Sequence, residues 1–235
     1  MPTPRKGDGA LSDALAELKH RGSKAGRDGM ARYGLPSDKA FGVSVKEIQA
    51  VAKRLGKSHT LAGALWKSGW HEARMLACYV DDPALVTPAQ MDAWCRDFDN
   101  WGICDTVCFV LFDRTPHAWK KVDAWARRND EFERRAAFAL LWGLTVHDMD
   151  APDARYIHGL KLVEKAARDE RHFVKKAVNM ALRAIGKRNA ALHAEALASA
   201  KRLAVATSES ARWVGRDALR ELSSASVRRR VEKGA

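Results

Sequence analysis

The sequence predicts an all-α protein built from short helices that pair into hairpins. Strand signals are nearly absent, because β-branched and aromatic residues never alternate with polar ones over more than a few positions. Helix-start signals recur along the chain. A charged residue followed by a mostly apolar run also recurs, at intervals of 30 to 41 residues. Together these three observations favour a repetitive helical architecture.

The first clear helix start is a capping-box pattern. Ser44 and Glu47 precede the segment "IQAVAKRLG", and Gly56 follows its last apolar residue. A serine at the N-cap and a glutamate three residues later satisfy each other's backbone N–H groups, and glycine often ends a helix. The pattern therefore predicts a helix between Ser44 and Gly56.

Two Thr-Pro pairs predict further helix starts. Thr87-Pro88 with Gln90 opens one helix and Thr115-Pro116 opens another, with proline at the first helical position, where its missing N–H costs nothing. The remaining helices are predicted near 10–19, 59–68, 71–80, 101–113, 131–145, 153–168, 171–186, 190–204 and 209–222.

The choice between a globule and a stack of hairpins depends on internal repetition. Five segments share one design, a charged residue and then an apolar helical run: "RMLACYV" from Arg74, "DTVCFVL" from Asp105, "RAAFALL" from Arg135, "KAVNMAL" from Lys176 and "RWVGRDAL" from Arg212. Their spacing falls in the range of HEAT-type helical repeats of about 40 residues. We therefore predict one HEAT-like solenoid domain over 1–235, with flexible tails at 1–9 and 224–235.

Charge and composition narrow the partners. With 41 Lys+Arg against 29 Asp+Glu, the net charge is +12 and the isoelectric point is about 9.8, which favours nucleic acid or an anionic surface as partner. No run of about 18 apolar residues could span a bilayer, and the first residues have no apolar signal core. We expect a cytoplasmic monomer without membrane association.

Neither a metal nor a cofactor is predicted. The histidines are scattered, and there is no Gly-rich phosphate loop. The cysteines do not form a C-x-x-C pair, and reduced, buried thiols are expected for them; they are Cys78, Cys95, Cys104 and Cys108.

The five repeated segments predict a row of charges. In a solenoid, equivalent positions on successive second helices line up along the concave face, so Arg74, Arg135, Lys176 and Arg212 would make a concave basic groove. Any one of them could be an ordinary solvated charge. Cations near helix starts are disfavoured by about 0.3–1 kcal/mol, however, and four in register indicate phosphate binding. Arg134 and Lys175 reinforce the row.

Asp105 lies in its segment at the position that a basic residue occupies in the other four segments. A carboxylate there would repel a phosphate backbone, so it either pairs with a neighbouring arginine or takes part in chemistry. Trp101, one helical turn earlier, lies on the same face. Its position at the helix start, after "DFDN", favours the rim of a site over the core.

These segments resemble a known family. From "FGVSVKEIQAVAKRLG" through "LAGALWKSGWHEARMLACYVDDP" to "FDNWGICDTVC", the chain is similar to the AlkD-type bacterial DNA alkylation repair proteins, which are HEAT-like repeat DNA glycosylases. The resemblance implies that Trp101 and Asp105 contact the deoxyribose of the damaged nucleotide and that Asp105 is the catalytic carboxylate. It implies that Arg135 supports the DNA near the lesion. The implied location is the bacterial cytoplasm, at the nucleoid.

One family residue differs. Where the family has a second tryptophan wall, in the stretch resembling "KKAVNMALR", this chain has Met180. A thioether gives an apolar, polarisable contact but no flat indole face. Trp142, seven residues after Arg135, could compensate, although a buried tryptophan in the core is the more common outcome.

The function expected from the resemblance is excision of cationic N3- or N7-alkylated purines from duplex DNA, without inserting the base into a pocket. Two alternatives stay open. One is a non-catalytic helical-repeat protein that binds distorted or branched DNA, and the other is a solenoid whose basic face meets an acidic protein.

Overall fold

In the computed structural model, residues 7–233 are described, and they contain only helices, turns and loops. They form two compact units, one with 7–93 and 99–115 and the other with 94–98 and 116–233. The all-α prediction is confirmed. The single-domain organisation and the concave groove stay predictions.

The first unit carries α1 to α7, apart from residues 94–96 at the end of α6. Their bounds are Gly7–Arg21, Lys24–Arg32, Val45–Leu55, His59–Lys67, His71–Val80, Pro88–Arg96 and Trp101–Val110, and a 3₁₀ turn follows at Phe112–Arg114. Helix α5 packs on α3, α4 and α7. The predicted capping box is present, because Ser44 Oγ accepts from the backbone of Glu47 and the Glu47 carboxylate accepts from the backbone of Ser44.

The second unit carries α8 to α14. Their bounds are Ala118–Trp125, Glu131–His147, Asp153–Ala166, His172–Ile185, Ala190–Ala204, Glu209–Leu222 and Ala225–Lys233. Successive helices pair as hairpins, α8 with α9, α10 with α11 and α12 with α13, and α11 packs between α9 and α13. This is the hairpin stacking that the repeated segments predict.

Some boundaries differ from the predictions. The helix expected to open at Thr115-Pro116 begins at Ala118, because Thr115 ends the 3₁₀ turn and its hydroxyl donates to the carbonyl of Phe112 at 2.8 Å. The expected helix 101–113 is α7 followed by that turn. Within the described part of the chain, no helix is long and apolar enough to cross a membrane.

The segment expected as a flexible tail, 224–235, contains a helix. Residues 225–233 form α14, and Val227 and Val231 on one face of this helix are buried. Apolar side chains four apart make one stripe on a helix, and that stripe packs against α12 and α13. Of the expected N-terminal tail 1–9, residues 1–6 lie outside the described residues, and α1 begins at Gly7.

A buried carboxylate organises the first unit. Glu72 is fully buried in α5 and accepts from the backbone N–H groups of Phe41, Gly42 and Val43 at 2.9, 2.6 and 3.2 Å. Such charge-assisted bonds compensate for the cost of burying the charge. The Phe41 ring stacks on Trp70 at 4.2 Å between centroids. The loop before α3 is therefore fixed to α5.

Helix α2 lies against this loop through backbone contact. None of its residues is buried. A Cβ atom on Gly26 would lie 2.1 Å from the carbonyl oxygen of Gly42, and Gly42 has a φ of +80°. Both positions need glycine, since one has no room for a side chain and the other has a left-handed conformation. This close approach sets the position of α2.

In the second unit, Asp169 joins three helical repeats. Its carboxylate accepts from Arg134 of α9 at 2.9 Å and from Arg171, next to α11, at 2.6 Å. Its carbonyl accepts from Ser210 Oγ of α13 at 2.7 Å. Burial alone would raise the pKa of Asp169, but the two arginines outweigh burial and lower the pKa to about 2.

This junction predicts a pH dependence of stability. Because the pKa of Asp169 is lower in the folded chain than in the unfolded chain, its stabilisation is complete above about pH 4 and is lost as the pH falls toward 2. At pH 7, Asp169→Asn should lower the free energy of unfolding by about 1–2 kcal/mol after allowance for solvent screening. Urea unfolding from pH 7 to pH 2 measures the difference.

The matched control for that experiment is Asp150→Asn, which removes an exposed carboxylate of the same unit. It should change the free energy of unfolding by less than about 0.5 kcal/mol. A difference between wild type and Asp169→Asn that stays constant down to pH 2 would contradict the assignment.

Candidate nucleic-acid interface

Trp101 is the first residue of α7, and its orientation is fixed from both sides. Asn100 caps the helix, since its side-chain oxygen accepts from the backbone of Ile103 at 3.0 Å. The indole Nε1–H of Trp101 donates to the carbonyl of Tyr33 at 3.1 Å. Tyr33 is the C-cap of α2, so the close approach of α2 to the loop determines where the indole lies.

Asp105 lies one turn after Trp101 on the less buried face of α7. Ile103, Cys104 and Val107 on the other face are buried, whereas Trp101 and Asp105 are half-buried. Residues four apart lie above one another on a helix. The structure therefore brings the predicted indole and carboxylate to one face of one helix.

Arg74 occupies the equivalent position of α5 in the same unit. Its guanidinium lies 3.7 Å from the Asp99 carboxylate and 5.2 Å from the Trp66 ring centroid. A small cavity of about 40 Å³ here is also lined by His71. Burial lowers the pKa of His71, and the neighbouring carboxylates of Glu72 and Asp99 only partly oppose it.

In the second unit, the predicted lysines meet an aromatic residue that sequence reasoning missed. The ammonium groups of Lys175 and Lys176 in α11 lie 5.3 and 4.9 Å from the ring centroid of Trp213 in α13. We call these three residues the Trp213 cluster. The missed signal was the tryptophan directly after Arg212 in "RWVGRDAL". Two cations over one half-exposed ring offer a positive, aromatic surface.

Arg212 begins a line of arginines along α13. Its guanidinium donates to the carbonyls of Ala206 and Thr207 at 3.1 and 2.6 Å, which fixes the turn before the helix. Arg216 and Arg220, one and two turns later, are exposed. A groove of about 320 Å³ runs beside these arginines and Trp213. Sequence reasoning named only the first of the three.

The predicted DNA contacts Arg134 and Arg135 are engaged inside the protein. Arg134 pairs with Asp169 at 2.9 Å. Arg135 is only 5% exposed, and it donates to the carbonyl of Phe173 at 2.7 Å. In this structure both guanidinium groups join α9 to the start of α11, and their direct contact with DNA stays a prediction.

Met180 and Trp142 line the same cleft. The cleft holds about 390 Å³ and is bordered by basic side chains that include Arg183, Lys187 and Arg230; we call it the basic-aromatic cleft. Trp142 is half-buried at its wall, whereas the more common outcome for a tryptophan is the core. The structure thus places the indole of Trp142 at the cleft that Met180 also lines.

Residues that could hold a metal are not grouped. Among residues 7–233, no three His, Cys, Asp or Glu side chains come together as a possible metal site. The four cysteines are free and buried, and Cys104 and Cys108 pack on the buried face of α7.

Comparison with known proteins agrees with this architecture. Residues 14–222 match the family model described as DNA alkylation repair enzyme. A solved structure described as "a new family of proteins related to the HEAT-like repeat DNA glycosylases with affinity for branched DNA structures" superposes with a TM-score of 0.75. It is 19% identical and covers 90% of this chain and 94% of its own, a likeness that shows the HEAT-like repeat fold. No curated protein sequence matches. Since the family model covers most of its length, the chain belongs to the DNA alkylation repair enzyme family.

Proposed function

We propose that this chain is a DNA N-glycosylase that excises N3- or N7-alkylated purines from duplex DNA as a monomer. The observation that carries the proposal is the pairing of Trp101 and Asp105 one turn apart on the less buried face of α7. Family membership and the basic register positions support DNA as the substrate.

The chemistry needs one well-placed anion. A purine alkylated at N3 or N7 already carries positive charge, so the N-glycosidic bond breaks with its electron pair going to the base. The sugar becomes oxocarbenium-like, as in glycoside hydrolysis. The Asp105 carboxylate stabilises this cation and orients the water that adds to the anomeric carbon, and the proton that this water loses passes to the solvent. The products are a free base and an abasic site.

Trp101 has a supporting role beside the sugar. Its indole, held by Tyr33 at 3.1 Å, packs against the deoxyribose and keeps bulk water away, which strengthens the electrostatic effect of the carboxylate. Selectivity then comes from the lability of the cationic glycosidic bond, and the base need not enter a pocket.

The DNA backbone is bound by the basic register residues. Arg74 in the first unit and the Trp213 cluster in the second present cations to phosphates, and Arg212 begins the line of arginines on α13. Arg134 and Arg135 act as positioning residues through their bonds to Asp169 and Phe173. This binding depends on counterion release and therefore on salt.

A second candidate function is binding of distorted or branched DNA without catalysis. Met180 stands where the resemblance implies a second tryptophan, and a thioether offers no flat indole face. The structurally similar protein is described as having affinity for branched DNA. An excision assay separates the two functions, because only the first produces abasic sites.

The first prediction for this function concerns Asp105. Replacing it in Asp105→Asn removes the negative charge while keeping the shape, and should slow excision of 7-methylguanine from duplex DNA about 100-fold, which corresponds to about 3 kcal/mol. Single-turnover release of the base measures the rate. Asp38→Asn, which removes an exposed carboxylate of the same unit, should leave the rate unchanged. Equal rates for wild type and Asp105→Asn would rule out the catalytic role.

The second prediction concerns Met180. Met180→Trp should raise the excision rate about 2- to 10-fold, since an added aromatic contact is worth about 0.5–1.5 kcal/mol. The same single-turnover assay measures it. Val205→Trp adds an indole at an exposed apolar residue of the same unit, outside the cleft that Met180 lines, and serves as the control. If wild type and Met180→Trp both leave methylated DNA intact yet bind it, non-catalytic binding is the function.

The third prediction concerns the phosphate contacts. Replacing both lysines of the Trp213 cluster with glutamine should lower the slope of log K against log salt by about 2, or about 1 for each lost phosphate contact. Fluorescence anisotropy with undamaged duplex from 50 to 200 mM salt measures the slope. Lys161→Gln, on the exposed side of α10, is the control. A salt-independent affinity in the wild type would instead indicate an acidic protein partner.

A further inference from the structure

The basic-aromatic cleft of the second unit is lined by a tryptophan and a methionine as well as by basic side chains. Trp142 of α9 and Met180 of α11 are half-buried at its walls. Its volume of about 390 Å³ lies in the range of about 300–1,000 Å³ that is usual for small-ligand sites. An indole and a thioether offer flat, polarisable surfaces to an aromatic ligand.

The rim of the cleft exposes more apolar surface. Val146 and Met149 are 46% and 68% exposed, and both line the cleft. Large apolar side chains left in water next to a cavity are a common feature of binding sites. A ligand with an apolar part that extends to the rim would cover this surface.

This rim is held in place by one arginine. Arg188 donates to the carbonyls of Thr145, Asp148 and Met149 at 3.0, 2.8 and 2.7 Å. Its guanidinium also lies 4.5 Å from the ring centroid of Tyr156. One carbonyl of the last turn of α9 and two carbonyls just after the helix are satisfied in this way, so the rim is preorganised before any ligand binds.

The charges beside the cleft favour an anion. Arg183 of α11 and Lys187, which follows that helix, both pair with the single carboxylate of Glu221, so two cations share one negative charge. Arg230 of α14 is exposed at the same cleft. The cleft therefore suits a ligand that combines a flat apolar part with a negative group next to it.

A nucleotide has both properties. We propose that the basic-aromatic cleft binds one unpaired nucleotide of a DNA strand, with its base between Trp142 and Met180 and its phosphate near Lys187 and Arg230. A paired base keeps both faces covered by its neighbours, so the site selects a nucleotide that has already left the stack. The inference rests on the proposed function in that DNA is the ligand, but it makes no use of Asp105.

The experiment compares two duplexes that differ in one base. Both carry a one-nucleotide bulge, which is 2-aminopurine in one and an abasic tetrahydrofuran in the other, so that the number of phosphates is the same. The wild-type protein should bind the 2-aminopurine bulge about 10-fold more tightly, as expected for one base stacked on an aromatic side chain. Trp142→Ala should bring the two affinities to within about 2-fold of each other.

The matched control is Trp213→Ala, which removes another half-buried tryptophan of the second unit. It lowers binding of both duplexes by a similar factor and keeps the ratio between them. Met180→Ala, a smaller change at another residue that lines the cleft, should reduce the ratio partially and guards against misfolding of Trp142→Ala. In the wild-type complex, stacking should also quench 2-aminopurine emission, a readout that needs no variant.

Equal affinity of the wild type for the two bulges, with unchanged 2-aminopurine emission in the complex, would overturn the inference. That result would leave the proposed excision standing, because excision is measured on methylated duplex and depends on Asp105. Conversely, a 10-fold preference together with no excision would support the cleft and favour the non-catalytic function.

Discussion

The second unit depends on one carboxylate. Asp169 is tied by Arg134 to α9, by Arg171 to the start of α11 and by its own carbonyl to Ser210 of α13. These bonds connect the N-terminal ends of α9, α11 and α13, and they therefore fix the three helices relative to one another along their axes. Lys175 and Lys176 could not both lie over Trp213 if α11 and α13 shifted by a turn. The placement of Lys175 and Lys176 over Trp213 therefore depends on the Asp169 carboxylate.

The basic residues of this chain perform two kinds of work. Arginines such as Arg134, Arg135 and Arg188 direct their planar forks to a carboxylate or to backbone carbonyls inside the second unit. The lysines of the Trp213 cluster carry compact charges that lie over an indole. This division follows the chemistry of the two side chains, because a guanidinium can satisfy several acceptors at once. A net charge of +12 thus overstates the number of cations available to DNA.

How much of this could be predicted from the sequence depends on the range of the interactions. Helix starts were predictable where the cap is local, as at Ser44 with Glu47. Helix α2 was missed because it has two glycines and no buried side chain, so no apolar period marks it. Trp101 and Asp105 were found together because four residues make one helical turn.

The remaining site features depend on partners that are distant in sequence. Arg134 was expected to meet phosphate, and nothing near it in sequence indicates Asp169, which is 35 residues away. Trp142 and Met180 come from different repeats, and only the packing of α9 on α11 places both at one cleft. Repetition predicts the register of such residues, but the pairing of individual side chains requires the packed structure.

The contact between Gly26 and Gly42 has an implication for how this chain tolerates sequence change. The exposed side chains of α2 can vary with little consequence for packing, but a single methyl group at Gly26 would meet the Gly42 carbonyl at 2.1 Å and push the whole helix outward. Tyr33 moves with that helix, and its carbonyl is the acceptor for the Trp101 indole. Gly26 and Gly42 are far from α7 in sequence, but their lack of side chains sets the distance between α2 and the loop. That distance in turn sets the tilt of the Trp101 ring, one helical turn from Asp105.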